Sequence, residues 1–486
     1  MKYQIYLIST LLIALPCLAF AQTDIDAFRF SRASTAGTAR SISMGGAFGA
    51  LGGDFSTLAS NPAGIAIFRG GEFTFSPSIY SGSTDASFLG NKIDENKFNF
   101  NFGNIGVVTT QSLSRDDASP GWKSWNFGFG YNRLNNFHNR FSYEGFNTEN
   151  SITQSWAQRA QGLNFDDLDQ FNEQLAYYTY LINPDASNNY SAEVSDGNVL
   201  QIRSAESRGS MGEVNFSMGA NYSNRLYIGG SLGFASIRYI DEVTYEEVDR
   251  DQLVDSLSFF SFNQNLTTKG LGFNFKFGMI YRANDWLRFG AAIHTPTWYD
   301  MNDKYNSDMS AKFDSGFAAT KQSPLGEFDY EFTSPFKAIG SIAFIFGKHG
   351  LLSAEYEFSD ISQARISAPG FSFNSVNDAI RKKYQEHSTV RLGAEWRYGN
   401  YSVRGGAAFT SSPVNSRFKA GGSDFSAKNF GGGFGIRDNN IFVDFGYFYG
   451  TSDEYYQPYT LSSENVPGVI NKVSSNNFTM TFGVKF

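Results

Sequence analysis

From Glu72 onward the apolar positions recur every second residue. In 478–486, Phe478, Met480, Phe482, Val484 and Phe486 fall on one face, and Thr479, Thr481, Gly483 and Lys485 on the other. In 390–398 the apolar set is Val390, Leu392, Ala394, Trp396 and Tyr398, opposite Arg391, Glu395 and Arg397. The stretches 273–281, 287–294, 401–410 and 441–449 repeat the pattern. A period of two is that of a strand whose faces meet different surroundings. These tracts run about ten residues with aromatics at their ends, the span and girdle of a strand that crosses a bilayer.

The connections fall into two sorts. Ser223-Asn224, Ala283-Asn284, Lys348-His349, Gly399-Asn400 and Arg437 to Asn440 are tight; 135–209, 240–268, 298–325, 359–386, 412–425 and 451–474 are long and polar. Short and long alternate, as in a barrel with turns at one rim and loops at the other. The spacing predicts an all-β chain, a transmembrane antiparallel β-barrel of about 14 strands: 72–80, 97–111, 122–134, 210–222, 225–238, 269–282, 285–297, 327–346, 351–360, 387–398, 401–411, 426–436, 441–450 and 475–486. The eighth is interrupted by Pro335. An even count places both ends of the barrel at the turn rim.

Ahead of the strands the pattern changes. Ser43 to Gly64 reads SMGGAFGALGGDFSTLASNPAG, small and nearly uncharged. Gly52-Gly53 stops any helical turn through Ala47, Ala50 and Leu51, and Pro62 drives Asn61 out of the helical region. Fifty structureless residues are unusual in a compact domain, so 22–71 is read as a hatch that plugs the barrel lumen. Residues 1–21 read as a cleaved signal: Lys2, an apolar core from Ile5 to Leu15, and Ala19-Phe20-Ala21 as the cleavage pattern. In the outer loop 135–209 a helix is expected, capped by Asn164, with Leu168, Phe171, Leu175, Tyr178 and Ile182 on one face.

Composition narrows the classes. With 49 Phe, 26 Tyr and 49 Gly among 486 residues, strands and close turns dominate. Mean hydropathy is -0.31, and past the leader no apolar run reaches 18 residues, which excludes membrane helices but not a barrel. The net charge of -8 argues against a nucleic-acid partner. The single cysteine, Cys17, lies in the leader, so disulfides, thiol catalysis and cysteine metal sites are excluded from the mature chain.

The N-terminal run SMGGAFGALGGD followed by SNPAG, with Met44, Gly45, Gly46, Ala47, Asp54, Asn61, Pro62, Ala63 and Gly64, resembles the long-chain fatty-acid transporter family of outer-membrane proteins, the FadL/TodX type. YRANDWLRFGAAIHTPT at 281–297, TSPFKAIGSIAFIFGKHG at 333–350, YSVRGGAAFTSSPVN at 401–415 and the final strand agree with it. The resemblance implies a fourteen-stranded barrel, a luminal hatch and passage of hydrophobic compounds from outside. It also implies lateral release at a kinked third strand; here 122–134 contains no proline, only Gly128 and Gly130.

The expected function is uptake of long-chain fatty acids or aromatic hydrocarbons across the outer membrane of a Gram-negative bacterium. Phe165, Leu168, Phe171, Leu175 and Tyr178 are candidates for capture, and Met44, Gly45, Gly46 and Asn61 to Gly64 for gating. The inward charges Arg288, Arg391 and Arg404 invite a carboxylate-binding reading, against mutual pairing with Glu395 and Asp444. Expected partners are the hydrophobic solute, outer-membrane lipid and, through C-terminal Phe486, the barrel-insertion machinery; no cofactor, metal or oligomer is expected. A general porin, a structural or adhesive surface protein, and a lipid hydrolase using His294 are the rivals. No serine elbow accompanies that histidine.

Overall fold

The computed structural model describes residues 22–32, 37–113, 120–254, 256–462 and 464–486. The expected signal, 1–21, with Cys17, lies outside them. The strands are β1 (Glu72–Phe88), β2 (Asn91–Ser112), β3 (Trp122–Asn136), β4 (Val199–Tyr222), β5 (Leu226–Val248), β6 (Leu257–Arg282), β7 (Leu287–His294, continued as Trp298–Phe313) and β8 (Gly326–Thr333, continued as Lys337–Phe346). They go on as β9 (Gly350–Asp360), β10 (Glu386–Tyr398), β11 (Tyr401–Thr410), β12 (Ala427–Asp438), β13 (Ile441–Tyr456) and β14 (Val469–Lys485). Each pairs antiparallel with the next, and β14 pairs with β1 from Glu72↔Lys485 to Ser87↔Ile470. The sheet is thus a closed barrel of 14 strands with no open edge strand.

Polarity is inverted relative to a water-soluble core. Phe127, Phe216, Phe234, Phe275 and Phe277 face outward and are exposed, while Asn126, Ser217, Asn274 and Lys276 are buried inside. A hydrocarbon exterior requires that arrangement. Two prolines interrupt the wall side by side. Pro296 divides β7 and Pro335 divides β8, since proline has no N–H for the ladder. The flanking residues mend the gap: Thr297 N donates to Ser334 Oγ at 3.0 Å, and Ser334 N donates to Thr297 O at 3.0 Å.

Several strands run far beyond the lengths the alternation predicts. Residues expected as outer loops at 240–268 and 298–325 are instead largely strand, in β5, β6 and β7. Above the bilayer the outward face no longer needs apolar residues, so the sequence pattern fades while the hydrogen-bond ladder continues. β3 also differs from expectation. Gly128 and Gly130 lie in regular pairing, whereas the register against β4 shifts between Arg133 and Asn135. Pairing of β3 with β2 ends at Asn104↔Asn132. A strand 139–147 continues the chain and pairs with the outer part of β4.

Among the described residues two α-helices lie ahead of the barrel, α1 (Asp24–Ser31) and α2 (Ala39–Ser43); α3 (Ile152–Ala160) and α4 (Glu173–Tyr178) belong to the first outer loop, and α5 (Asn374–Lys383) to the connection between β9 and β10. The single helix expected after Asn164 does not form. Asn164 caps only the short turn Phe165–Asp167, and Asp169 Oδ1 accepts from Phe171 N at 2.7 Å, a local bond that competes with a helix. Leu168, Leu175 and Ile182 are buried with Trp156, Phe260 and Met309 in a core of the outer cap.

The chain end closes on the start of the barrel. Phe486 N donates to Gly71 O at 2.9 Å and Gly71 N donates to Phe486 O at 2.8 Å. A side chain at Gly71 would collide with the Phe486 ring. Deleting Phe486 removes the last rung of the β14–β1 seam and the terminal aromatic. The heat-modifiable folded form in the outer membrane should then fall several-fold with synthesis unchanged, as read by gel mobility of unheated samples; equal folded yield would refute this role.

Candidate functional site

The segment 37–71 fills the lower lumen, and its turns are set by side-chain caps. Thr38 Oγ1 accepts from Ser41 N at 3.1 Å to start α2 and donates to Asp54 Oδ1 at 2.8 Å. Asp54 Oδ1 accepts from Ser56 N at 3.0 Å, opening the turn Phe55–Leu58. Asn61 Oδ1 accepts from Ala63 N at 3.1 Å with Pro62 in the first helical position, and Asn61 Nδ2 donates to Gly49 O at 2.6 Å and to Met279 O of the wall at 3.3 Å. Gly45 and Gly46 have φ of 63° and 80°, and Gly52 and Gly53 of 63° and 65°. These are left-handed conformations that side chains resist by about 1–2 kcal/mol.

The wall receives this segment on glycine. A Cβ at Gly278 would strike Asn61, at Gly229 the Pro62 carbonyl, at Gly290 the Gly49 carbonyl, at Gly406 Met44, and at Gly446 the Ala39 carbonyl. At Gly45 a Cβ would lie 2.8 Å from Ala407 O. Backbone therefore meets backbone around much of the lumen, and Met44, Ala63 and Leu58 are fully buried. Sequence reading misses these positions, although their signal is visible: glycine recurs on the inward face of strands whose outward face is bulky.

Charges add polar fastenings. Arg40 Nε donates to Glu395 Oε2 at 2.7 Å; Arg404 Nε donates to the same oxygen at 2.7 Å and Arg404 Nη1 to Asp444 Oδ1 at 2.6 Å. Arg391 binds Glu355 at 2.8 Å and Glu357 at 2.9 Å, and Glu355 Oε2 accepts from Gly49 N at 2.7 Å. Arg288 Nη1 donates to the Leu51 carbonyl at 3.1 Å. Arg391 and Arg404 are thus committed to wall carboxylates, and Arg288 to the plug. His294 Nε2 lies 2.5 Å from the Ser60 carbonyl, so that ring also holds the plug. Among the described residues no group of histidine, cysteine and carboxylates is arranged for a metal.

A second closure lies above. Phe30 and Ala27 of α1 pack with Ile380 and Tyr384 of α5 and its flank and with the inward Met211, Tyr239, Tyr299 and Phe332 of the wall. Phe28 stacks on Tyr384 at 5.7 Å, and Lys383 Nζ binds Asp24 at 2.6 Å. The connection 359–386, expected as a polar outer loop, therefore turns inward, because Val376, Ile380 and Tyr384 form one apolar helical edge. Between the two closures lies a cavity of about 160 Å³ of mixed lining, with Glu213, Lys276, His294, Glu357 and Arg391 beside Phe30, Met211 and Ile339.

The expected capture residues are not one surface. Leu168 and Leu175 are 1% and 0% exposed, whereas Phe165 and Tyr178 are 38% and 40% exposed. Phe165 stacks on Tyr177 at 5.5 Å, and Phe171 packs against Tyr305 at 4.6 Å.

No family model matches the chain, and no curated protein sequence matches it. Solved structures do match. The toluene transporter TodX of P. putida covers 93% of this chain, with 99% of its own length aligned, at 13% identity and a TM-score of 0.52. A FadL homologue of Pseudomonas aeruginosa covers 94%, with 100% of its own length, at 10% identity and 0.56. The monoaromatic hydrocarbon channel CymD covers 93%, with 98% of its own length, at 14% identity and 0.50. At such identities the likeness is one of fold: the chain shares with these FadL/TodX-type structures a closed fourteen-stranded barrel preceded by an N-terminal helical segment.

Proposed function

We propose that this barrel is an outer-membrane channel for the uptake of hydrophobic compounds. The observation that carries the reading is the double closure, with an apolar layer of α1 and α5 above a backbone-seated plug. An open aqueous pore serves polar solutes; a lumen closed by apolar contacts suits a solute that moves from one apolar surface to the next. Burial of about 0.8 kcal/mol per methylene makes even a modest apolar layer a good stage for an acyl chain or aromatic ring. The neighbours' printed descriptions, toluene transporter and monoaromatic hydrocarbon channel, support the same class. They also speak against a hydrolase, as does the engagement of His294 with a backbone carbonyl.

In this reading Phe165, Tyr177 and Tyr178 of the outer cap offer the first apolar contact. The solute then displaces the α1–α5 layer, and the hatch at Met44, Gly45, Gly46 and Asn61 to Gly64 shuts the lower lumen against polar leakage. Release sideways uses the seam above Asn132, where β3 leaves β2 beside the exposed Phe98, Phe100 and Phe102. The test is mass spectrometry of molecules that co-purify with the barrel, beside uptake of labelled long-chain fatty acid and of toluene. Enrichment of a hydrophobic compound and uptake lost on deletion of the gene are expected. A barrel that carries none and passes small sugars instead is a porin.

A further inference from the structure

On the outward face at the upper edge of the apolar band, Arg238 of β5 stands directly opposite Lys269 of β6. Both are exposed. Like charges in directly paired positions repel. Their flanking cations are satisfied: Arg208 binds Glu242, and Lys304 binds Glu327 at 3.0 Å. Arg238 and Lys269 form no ion pair among the described residues, and the small Ser210, opposite Arg238, leaves the approach open. Asp300, on the same face, is diagonal to Lys269 through Asn302 and lies beyond ion-pair distance.

Below this pair the same face passes Ser236 and turns apolar through Leu271, Phe234 and Phe273, which are 71%, 47% and 45% exposed. It then dips into a depression of about 860 Å³ at Gly230, walled by Phe127, Phe216, Met218, Phe275 and Phe277. A Cβ on Gly230 would touch only a backbone carbonyl at 3.7 Å, so the hollow is open to the lipid side. Eight residues separate Gly230 from Arg238, roughly 26 Å along the strand at about 3.3 Å each. With a strand tilt near 40° that is a depth of about 20 Å, somewhat more than one leaflet of a roughly 30 Å hydrocarbon core.

We propose that Arg238 and Lys269 bind the phosphate of a phosphorylated outer-leaflet lipid whose acyl chain lies down this face toward the Gly230 depression. The phosphate relieves the repulsion of the pair, the guanidinium can hold it bidentately, and the apolar column fixes the chain. The inference rests on the outer-membrane placement proposed above, and density fractionation of the folded barrel checks that placement separately.

The test is native mass spectrometry of the purified barrel in detergent with bisphosphorylated lipid A, with the same lipid enzymatically dephosphorylated, and with inorganic phosphate as competitor. The wild type should retain the phosphorylated lipid, and the double substitution Arg238→Ser, Lys269→Ser should weaken retention about thirtyfold, from roughly fivefold for each basic residue at an anionic surface. Arg250→Ser, an exposed cation elsewhere, should change nothing. Equal retention of the dephosphorylated lipid, indifference to the double substitution, or full displacement by millimolar inorganic phosphate each overturns the proposal. Such a failure in a barrel that fractionates with the outer membrane leaves the transport reading standing.

Discussion

Deletion of residues 22–71 should leave a folded barrel that has lost its gate. The wall closes on itself through 14 strands, and the β14–β1 pairing from Glu72↔Lys485 to Ser87↔Ile470 stays, with only the terminal Gly71–Phe486 rung lost. The inward charges also survive the loss: Glu395 keeps Arg404 and Arg397, and Arg391 keeps Glu355 and Glu357. What disappears is every contact that fills the lower lumen, and half of the upper layer with α1. The ring of glycines that receives the hatch then lines an open passage. Small polar antibiotics should enter many-fold faster than in the wild type, and selective uptake of labelled fatty acid should be lost. A deletion strain that stays closed to the antibiotic and takes up fatty acid at the wild-type rate would show that this segment is not the gate.

How much of this was legible in the sequence follows from what the surroundings demand. Within the bilayer every outward position must be apolar, so the centres of β6, β10 and β14 stand out by alternation alone. Beyond the bilayer that demand lapses, and the outer half of β5 from Arg238 to Val248 carries no comparable signal although it pairs continuously with β6. Asn61-Pro62 was legible as a corner because its cap chemistry is local. The partners of that corner were not: Gly278 and Gly229 are recognised as a seat only once distant strands are brought to the hatch. The same holds for Leu168 and Leu175, whose spacing fits an exposed helical face but whose burial depends on Trp156 and Phe260 from elsewhere in the chain.

The buried charge cluster separates hatch seating from barrel stability, and two substitutions at it should behave differently. Glu395 is completely buried on its side chain and accepts from Arg40, Arg404 and Arg397 together. Glu395→Ala leaves Arg404 with Asp444 but strips Arg40 and Arg397 of the carboxylate they share, and removing one partner of a buried ion pair costs about 3–5 kcal/mol. Arg40→Met removes one cation of that set and fills its space with apolar volume. Glu395 then still has Arg404 Nε at 2.7 Å and Arg397 Nη2 at 2.6 Å, so the wall loses little. The hatch loses its ion pair to the wall, and the bond from Arg40 Nη1 to Gly53 O within the hatch, 3.3 Å, goes with it. The heat-modification midpoint should therefore drop markedly for Glu395→Ala and barely for Arg40→Met, while limited proteolysis should cut residues 22–71 faster in the Arg40 variant. If both variants lower the midpoint equally, hatch and wall melt as one unit, and a plug that moves inside an intact barrel is ruled out.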